Sequence, residues 1–222
     1  MSNAAPAHDG PITIGGRPGR TLEGILTVPA ADLRGAAVVC HPHPQYQGTM
    51  NSPVVVATCE ALVAHDIATL RFNFGGAGRS QGTFSGGPEE IADTQAALVA
   101  LGARLPSPGP LARSCTTLVG YSFGAWIALQ TAAREPAISH VIAIAPPLDF
   151  FEWQSLGALR QSVSIIAAAE DQFCDAARLA AAVQQAGPRT RVVATVSGTD
   201  HFFGGFENDV AAACAACLDC SA

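Results

Sequence analysis

From Pro11 onward, short β-branched or apolar runs alternate with longer segments of helical period, an order that few architectures other than an α/β sheet with helices on both faces can satisfy. Eight runs read as strands: Ile12 to Ile14, Leu22 to Val28, Ala36 to Cys40, Ala68 to Phe74, Thr116 to Gly120, His140 to Ala145, Ser162 to Ala168 and Arg191 to Ser197. Helices are expected over Ser52 to His65, with Pro53 in the first turn behind Asn51 or Ser52, and over Pro88 to Leu105, Phe123 to Arg134, Asp175 to Gln185 and Glu207 to Asp219. A turn containing Gly15, Gly16 and Gly19 joins the first two strands directly, which predicts an antiparallel edge on a mostly parallel eight-stranded sheet. With 222 residues and no internal repeat, one domain over 11–222 is expected, behind a flexible tail at 1–10 and with a loop at Pro106 to Pro110.

Composition removes several functions. All 12 basic residues are Arg, which excludes a Schiff-base lysine and a phosphate loop ending in Gly-Lys-Ser/Thr. The net charge of −6, without an Arg cluster, gives no footprint for nucleic acid. No apolar run approaches the roughly 18 residues of a membrane span, and the first residues lack the basic and apolar segments of a secretion signal, so no membrane association and a cytoplasmic location are expected. Seven cysteines are an odd number, and Cys40, Cys59, Cys115 and Cys174 stand alone. Cys214, Cys217 and Cys220 follow at three-residue steps but lack a second ligand-bearing segment, so free thiols are expected rather than a metal site.

Gly120-Tyr-Ser-Phe-Gly124 falls between a predicted strand and a predicted helix, which is the setting of a nucleophile elbow centred on Ser122. A serine needs a base to take its proton and a carboxylate to orient that base. Of the two histidines that follow, His140 begins a strand at the edge away from the site and reads as a surface or capping residue. His201 follows the last strand at the carboxyl edge and is the expected base. Asp171, beyond the penultimate strand, is the expected acid, with Asp149 as the competitor; Glu170 and Asp175 read as a solvated charge and a helix cap. An oxyanion hole would use the Phe123 N–H and one more from the His41-Pro-His-Pro-Gln-Tyr turn. There Pro42 and Pro44 have no N–H, leaving His43, Gln45 or Tyr46. His41 is expected to support that turn by hydrogen bonding rather than to bind a metal with His43. The Gly-rich stretch after Arg71-Phe-Asn-Phe does not lead directly into a helix and reads as a close-packed loop behind the site, not as a dinucleotide site.

These residues together resemble the α/β-hydrolase superfamily over nearly the whole chain. His41-Pro-His-Pro with Gly48-Thr-Met-Asn, Arg71-Phe-Asn-Phe with Gly78-Arg-Ser-Gln-Gly, and Gly120-Tyr-Ser-Phe-Gly are similar to small bacterial serine hydrolases near the dienelactone hydrolases and the serine peptidases of this fold. Dienelactone hydrolases typically use a cysteine, so the Ser122 elbow does not carry that activity over. Gly75 stands where similar sequences often have a bulkier, frequently basic residue. The resemblance implies acyl transfer to water by a serine esterase with a Ser122-Asp171-His201 triad and no cofactor. Its expected partner is a small-molecule ester or amide, and a homodimer is one assembly open to it. A peptidase or amidase on the same triad, or a non-catalytic binding module of this fold, is the alternative. Many relatives insert a lid after the sixth strand, whereas here Pro146 to Gln161 form only a short connector. An open site without a large lid is therefore expected, favouring small esters, with Phe150, Phe151, Trp153 and Phe202 as candidate apolar walls.

Overall fold

The computed structural model describes residues 8–16, 19–105 and 116–219. Eight strands form one sheet: β1 (His8–Gly15), β2 (Thr21–Val28), β3 (Gly35–Cys40), β4 (Ile67–Phe72), β5 (Thr116–Tyr121), β6 (Ile138–Ile144), β7 (Ser162–Ala168) and β8 (Thr190–Val196), in the spatial order β1-β2-β4-β3-β5-β6-β7-β8. The β1–β2 and β2–β4 pairs are antiparallel and the rest parallel. The helices are α1 (Pro53–Ala64), α2 (Pro88–Gly102), α3 (Phe123–Ala132), α4 (Ala176–Ala186) and α5 (Glu207–Asp219). The chain is therefore an α/β-hydrolase-type sheet, and residues 145–161, with a single 3-10 turn at Gln154–Ala158, leave no large lid between β6 and β7.

The period of two along the strands builds two cores. Val38, Leu118 and Val141 face α2 and α3 with Phe123 and Ile127, while Val39, Val119 and Ile142 face α1 and α5 with Leu62 and Val210. The path from β3 runs through α1 toward β4, whereas the path from β5 runs through α3 toward β6. The two paths diverge between β3 and β5, where Cys40 is paired with Gly120. Such a divergence opens a crevice at the carboxyl ends of the strands.

Two expectations are corrected here. The first strand begins at His8, because His8, Asp9 and Gly10 pair with Val28, Thr27 and Leu26, so the N-terminal tail does not extend to residue 10. His140 is not a surface or capping residue. β6 begins two positions earlier, His140 is buried, and its Nε2 lies 2.9 Å from Ser164 Oγ. Cys40, Cys59, Cys174 and Cys214 are buried free thiols, and Cys217 is buried with its thiol donating to Ala213 O at 3.1 Å; Cys115 and Cys220 lie outside the described residues.

Burial pulls the pKa of both His41 and His140 from 6.5 down to about 4. The unfolded chain therefore takes up protons below about pH 6.5 that the folded chain refuses until about pH 4. Their stabilising contribution is complete above that window and lost on descending through it. Urea titrations should show stability falling with pH between 6.5 and 4 by about 1 kcal/mol per unit for each histidine, and His140→Gln should remove about half of that slope.

Candidate active site

The turn from β5 into α3 holds Ser122 at φ 56° and ψ −120°, a left-handed conformation that costs a non-glycine residue about 1–3 kcal/mol. The Ser122 N–H donates to Ile144 O at 2.9 Å, and Ser122 O accepts from the Ala125 N–H at 2.9 Å. The flanking glycines are required by proximity. A Cβ on Gly120 would lie 2.1 Å from Gly124 O, and one on Gly124 would lie 2.3 Å from Cys40 O.

Ser122 Oγ is 2.8 Å from His201 Nε2, and His201 Nδ1 is 2.9 and 3.0 Å from the two carboxylate oxygens of Asp171. An ionised carboxylate can only accept, so Nδ1 carries the ring proton and the Nε2 lone pair faces the serine hydroxyl. The side chains of His201 and Asp171 are 4% and 2% exposed, which keeps this line of hydrogen bonds out of bulk water. Asp171 also accepts the Phe173 N–H at 2.8 Å. Tyr121, the last residue of β5, donates its hydroxyl to His201 O at 3.0 Å. Burial, with the carboxylates of Asp171, Asp200 and Glu207, pushes the Tyr121 pKa up, so the phenol stays a donor. Asp149 is turned away, half-exposed and ion-paired with Arg178, while Asp175 caps α4 through the N–H groups of Ala177 and Arg178.

The turn after β3 is a 3-10 turn at Pro44–Tyr46, and it separates the three expected donors. The Gln45 N–H donates to His43 Nδ1 at 3.2 Å and the Tyr46 N–H to His43 O at 3.0 Å, so both are consumed by the turn. Among the described residues, the N–H groups of His43 and Phe123 donate to no protein acceptor, and the two rings lie 5.1 Å apart across the crevice. Gly48 closes the turn, since a Cβ there would sit 2.2 Å from Pro42 O. His41 behind it is fully committed: Nε2 accepts the Phe74 N–H at 3.0 Å, and Nδ1 lies 2.6 Å from Pro42 O. Burial keeps this imidazole neutral, and it fastens the turn to the exit of β4. Among the described residues no group of three or more His, Cys, Asp or Glu side chains gathers as a metal site.

The expected apolar walls divide. Phe151 lies 5.6 Å from Phe123, and Phe202 lies 5.6 Å from His201. Phe150 is exposed and packs edge-on against Phe173, which in turn contacts His201. Trp153 is buried beside the 3-10 turn of the β6–β7 connection, and among the described residues its ring contacts neither Phe123 nor His201. Phe84, Trp126 and Phe173 complete the aromatic surroundings instead. Phe84 is the one bulky apolar side chain in the Gly82–Gly87 stretch, a signal that passes for loop filler until the loop is folded back onto His43. The volume left open by Gly75 is taken by Arg20 of the β1–β2 connection, whose Nη2 would lie 2.0 Å from a Cβ at that position.

No family model matches the chain. A protein of unknown function from Agrobacterium tumefaciens, described as a candidate α/β hydrolase, is 30% identical and superposes with a TM-score of 0.84 over 95% of each chain. An α/β serine hydrolase homologue from Coxiella burnetii is 28% identical, with a TM-score of 0.84 over 98% of this chain and 100% of its own. An α/β serine hydrolase without a lid from Xanthomonas campestris is 27% identical, with a TM-score of 0.81 over 96% and 94% of the two chains. An uncharacterized protein of Rickettsia prowazekii is 41% identical over 138 residues, and the match spans 56% of that curated relative's length.

The backbone contact at Gly124 has a measurable consequence. Gly124→Ala should lose at least about 3 kcal/mol in urea unfolding, because α3 must lift from the end of β3. Gly102→Ala, where a Cβ meets nothing within 4 Å, should be neutral or stabilising by up to about 1 kcal/mol.

Proposed function

The chain belongs to the α/β-hydrolase superfamily, and we propose that it is a serine hydrolase cleaving small carboxylic esters through an acyl-enzyme on Ser122. The observation that carries this reading is the unbroken line from Ser122 Oγ through His201 to Asp171, beside two backbone N–H groups with no protein acceptor. Asp171 orients the imidazole and stabilises its protonated form. His201 Nε2 takes the hydroxyl proton as Oγ bonds to the ester carbonyl carbon, and the carbonyl oxygen gains its negative charge between the N–H groups of Phe123 and His43. One such donor typically contributes about 2.7–4 kcal/mol to the transition state. The carbon–oxygen bond to the alcohol then breaks as His201 returns the proton to the leaving oxygen. Water, activated by the same histidine, releases the acid and restores Ser122. The short β6–β7 connection leaves the crevice open, which favours small or flexible esters over long-chain lipids.

A fluorophosphonate probe followed by intact mass, alongside hydrolysis of short-chain p-nitrophenyl esters, tests this reading. A single adduct is expected, absent from folded Ser122→Ala protein. Asp171→Asn should lower turnover by about ten-thousand-fold through the wrong histidine tautomer, whereas Asp149→Asn should stay within a few-fold of the parent. An adduct retained in Ser122→Ala, or equal losses at the two aspartates, would contradict the assignment.

A further inference from the structure

The aromatic side chains around the crevice fall into two sets, and among the described residues no ring contact joins them. One set centres on Phe123. Its ring is 5.1 Å from His43, 5.5 Å from Phe84, 5.9 Å from Trp126 and 5.6 Å from Phe151, and Trp126 stacks on Phe151 at 4.7 Å with an interplanar angle of 20°. The other set centres on His201, with Phe173 at 4.8 Å, Phe202 at 5.6 Å and Phe150 beyond Phe173.

The chemistry gives the two sets different tasks, on the premise that Ser122 forms the acyl-enzyme. A leaving oxygen must receive its proton from His201 Nε2, so the alcohol portion lies on the side of Phe173 and Phe202. The acyl portion stays bonded to Ser122 Oγ, with its carbonyl oxygen toward Phe123 and His43, and therefore lies on the Phe123 side. The two sides also differ in burial. Phe150 and Phe202 are 63% and 59% exposed, while Phe84, Trp126 and Phe151 are half-buried against the core.

The acyl side is held rigidly. A Cβ on Gly87 would come within 2.7 Å of the Trp126 ring, so bare backbone rests on the indole, whose Nε1–H donates to Glu152 O at 3.3 Å. The loop bearing Phe84 is tied to the buried Glu90, which accepts the Gly87 N–H at 2.6 Å, the Ser85 N–H at 2.9 Å and the Ser85 hydroxyl at 2.8 Å. A preformed wall of stacked and edge-on rings favours a rigid planar group, which loses little freedom on binding, over a flexible chain. Its electrostatics disfavour an anion, because the charge that bears on His43 is the Glu90 carboxylate beneath the loop.

We propose that His43, Phe84, Phe123, Trp126 and Phe151 form an acyl subsite for an uncharged aromatic acyl group of the benzoyl or cinnamoyl kind, with the Phe173 and Phe202 rim receiving the alcohol.

Two measurements test this and keep it separate from the acyl-enzyme reading. For p-nitrophenyl esters, kcat/KM divided by the hydroxide-catalysed rate constant should be about fivefold higher for benzoate and cinnamate than for butyrate. Phe84→Ala should bring that ratio near one, and Phe202→Ala should leave it unchanged. In Ser122→Ala protein, Trp126 fluorescence should report cinnamamide binding about fivefold tighter than valeramide, with ionised cinnamate weaker than its amide, and Phe84→Ala should remove the preference. Equal binding of the two amides, or a preference that survives Phe84→Ala, would overturn the subsite even if Ser122 is labelled. Selective binding in a protein whose Ser122 is never labelled would support the subsite and overturn the acyl-enzyme.

Discussion

Three stretches of backbone meet with no side chain between them: the end of β3 at Cys40, the strand end at Gly120 and the first turn of α3 at Gly124. That contact sets the height of α3 above the sheet. It thereby places both the Ser122 hydroxyl and the Phe123 N–H, because these belong to adjacent residues at the start of that helix. The strain at Ser122, about 1–3 kcal/mol, persists because the alternative would lift α3 and open the core around Phe123 and Ile127. The β3–β5 pairing brings the His41–Gly48 turn to the same point, so the two unused N–H groups converge as a result of sheet register rather than of any contact between them.

β5 does a second task. Gly120 faces α3 while Tyr121 reaches the loop after β8 and holds His201 through its carbonyl. Serine and histidine, 79 residues apart, are thus positioned from one strand end. Asp171 closes the line from the exit of β7, and its Oδ1 also accepts the Phe173 N–H, which fixes the loop presenting it.

The features legible in the sequence are those whose cause is local. The elbow announces itself because two glycines and a serine must sit between a strand and a helix, and the station of His201 follows from the end of β8. What escaped reading depends on partners distant in sequence. The choice of acid is only partly of this kind. Asp171 is expected from its station after β7 and is the one that reaches His201. The competitor Asp149 is drawn off by Arg178 on α4, an ion pair that its sequence neighbours do not announce. β1 reaches back to His8 because β2 supplies a hydrogen-bonding edge as far as Val28, an influence that the polar residues His8 and Asp9 do not advertise. Gln45 and Tyr46 are as good donors as His43 by composition; they differ because the 3-10 turn spends their N–H groups on His43 itself. Trp153 sits in an aromatic-rich connector yet turns inward, which no period in so short a segment reveals.

The loop from Gly75 to Gly87 shows how distant charges can shape an apolar site. Glu90 and Asp93 lie three residues apart on one face of α2, and each holds one end of the loop. Asp93 accepts the Gly75 N–H at 2.8 Å, and Glu90 accepts the Gly87 N–H at 2.6 Å. Arg20, delivered from the β1–β2 connection into the volume that Gly75 leaves open, neutralises the Asp93 end at 2.7 Å and reaches Glu89 at 2.9 Å. Burial raises the Asp93 pKa, opposed by the Gly75 N–H and the guanidinium, so the carboxylate depends on both. A buried ion pair of this kind adds little net stability over an apolar substitute, but losing one partner leaves an expensive unpaired charge. Its effect is therefore better understood as fixing one loop path among several. Phe84 lies on that path between the two tethers, which is how a sequence rich in glycine can still hold a single aromatic ring against His43 and Phe123.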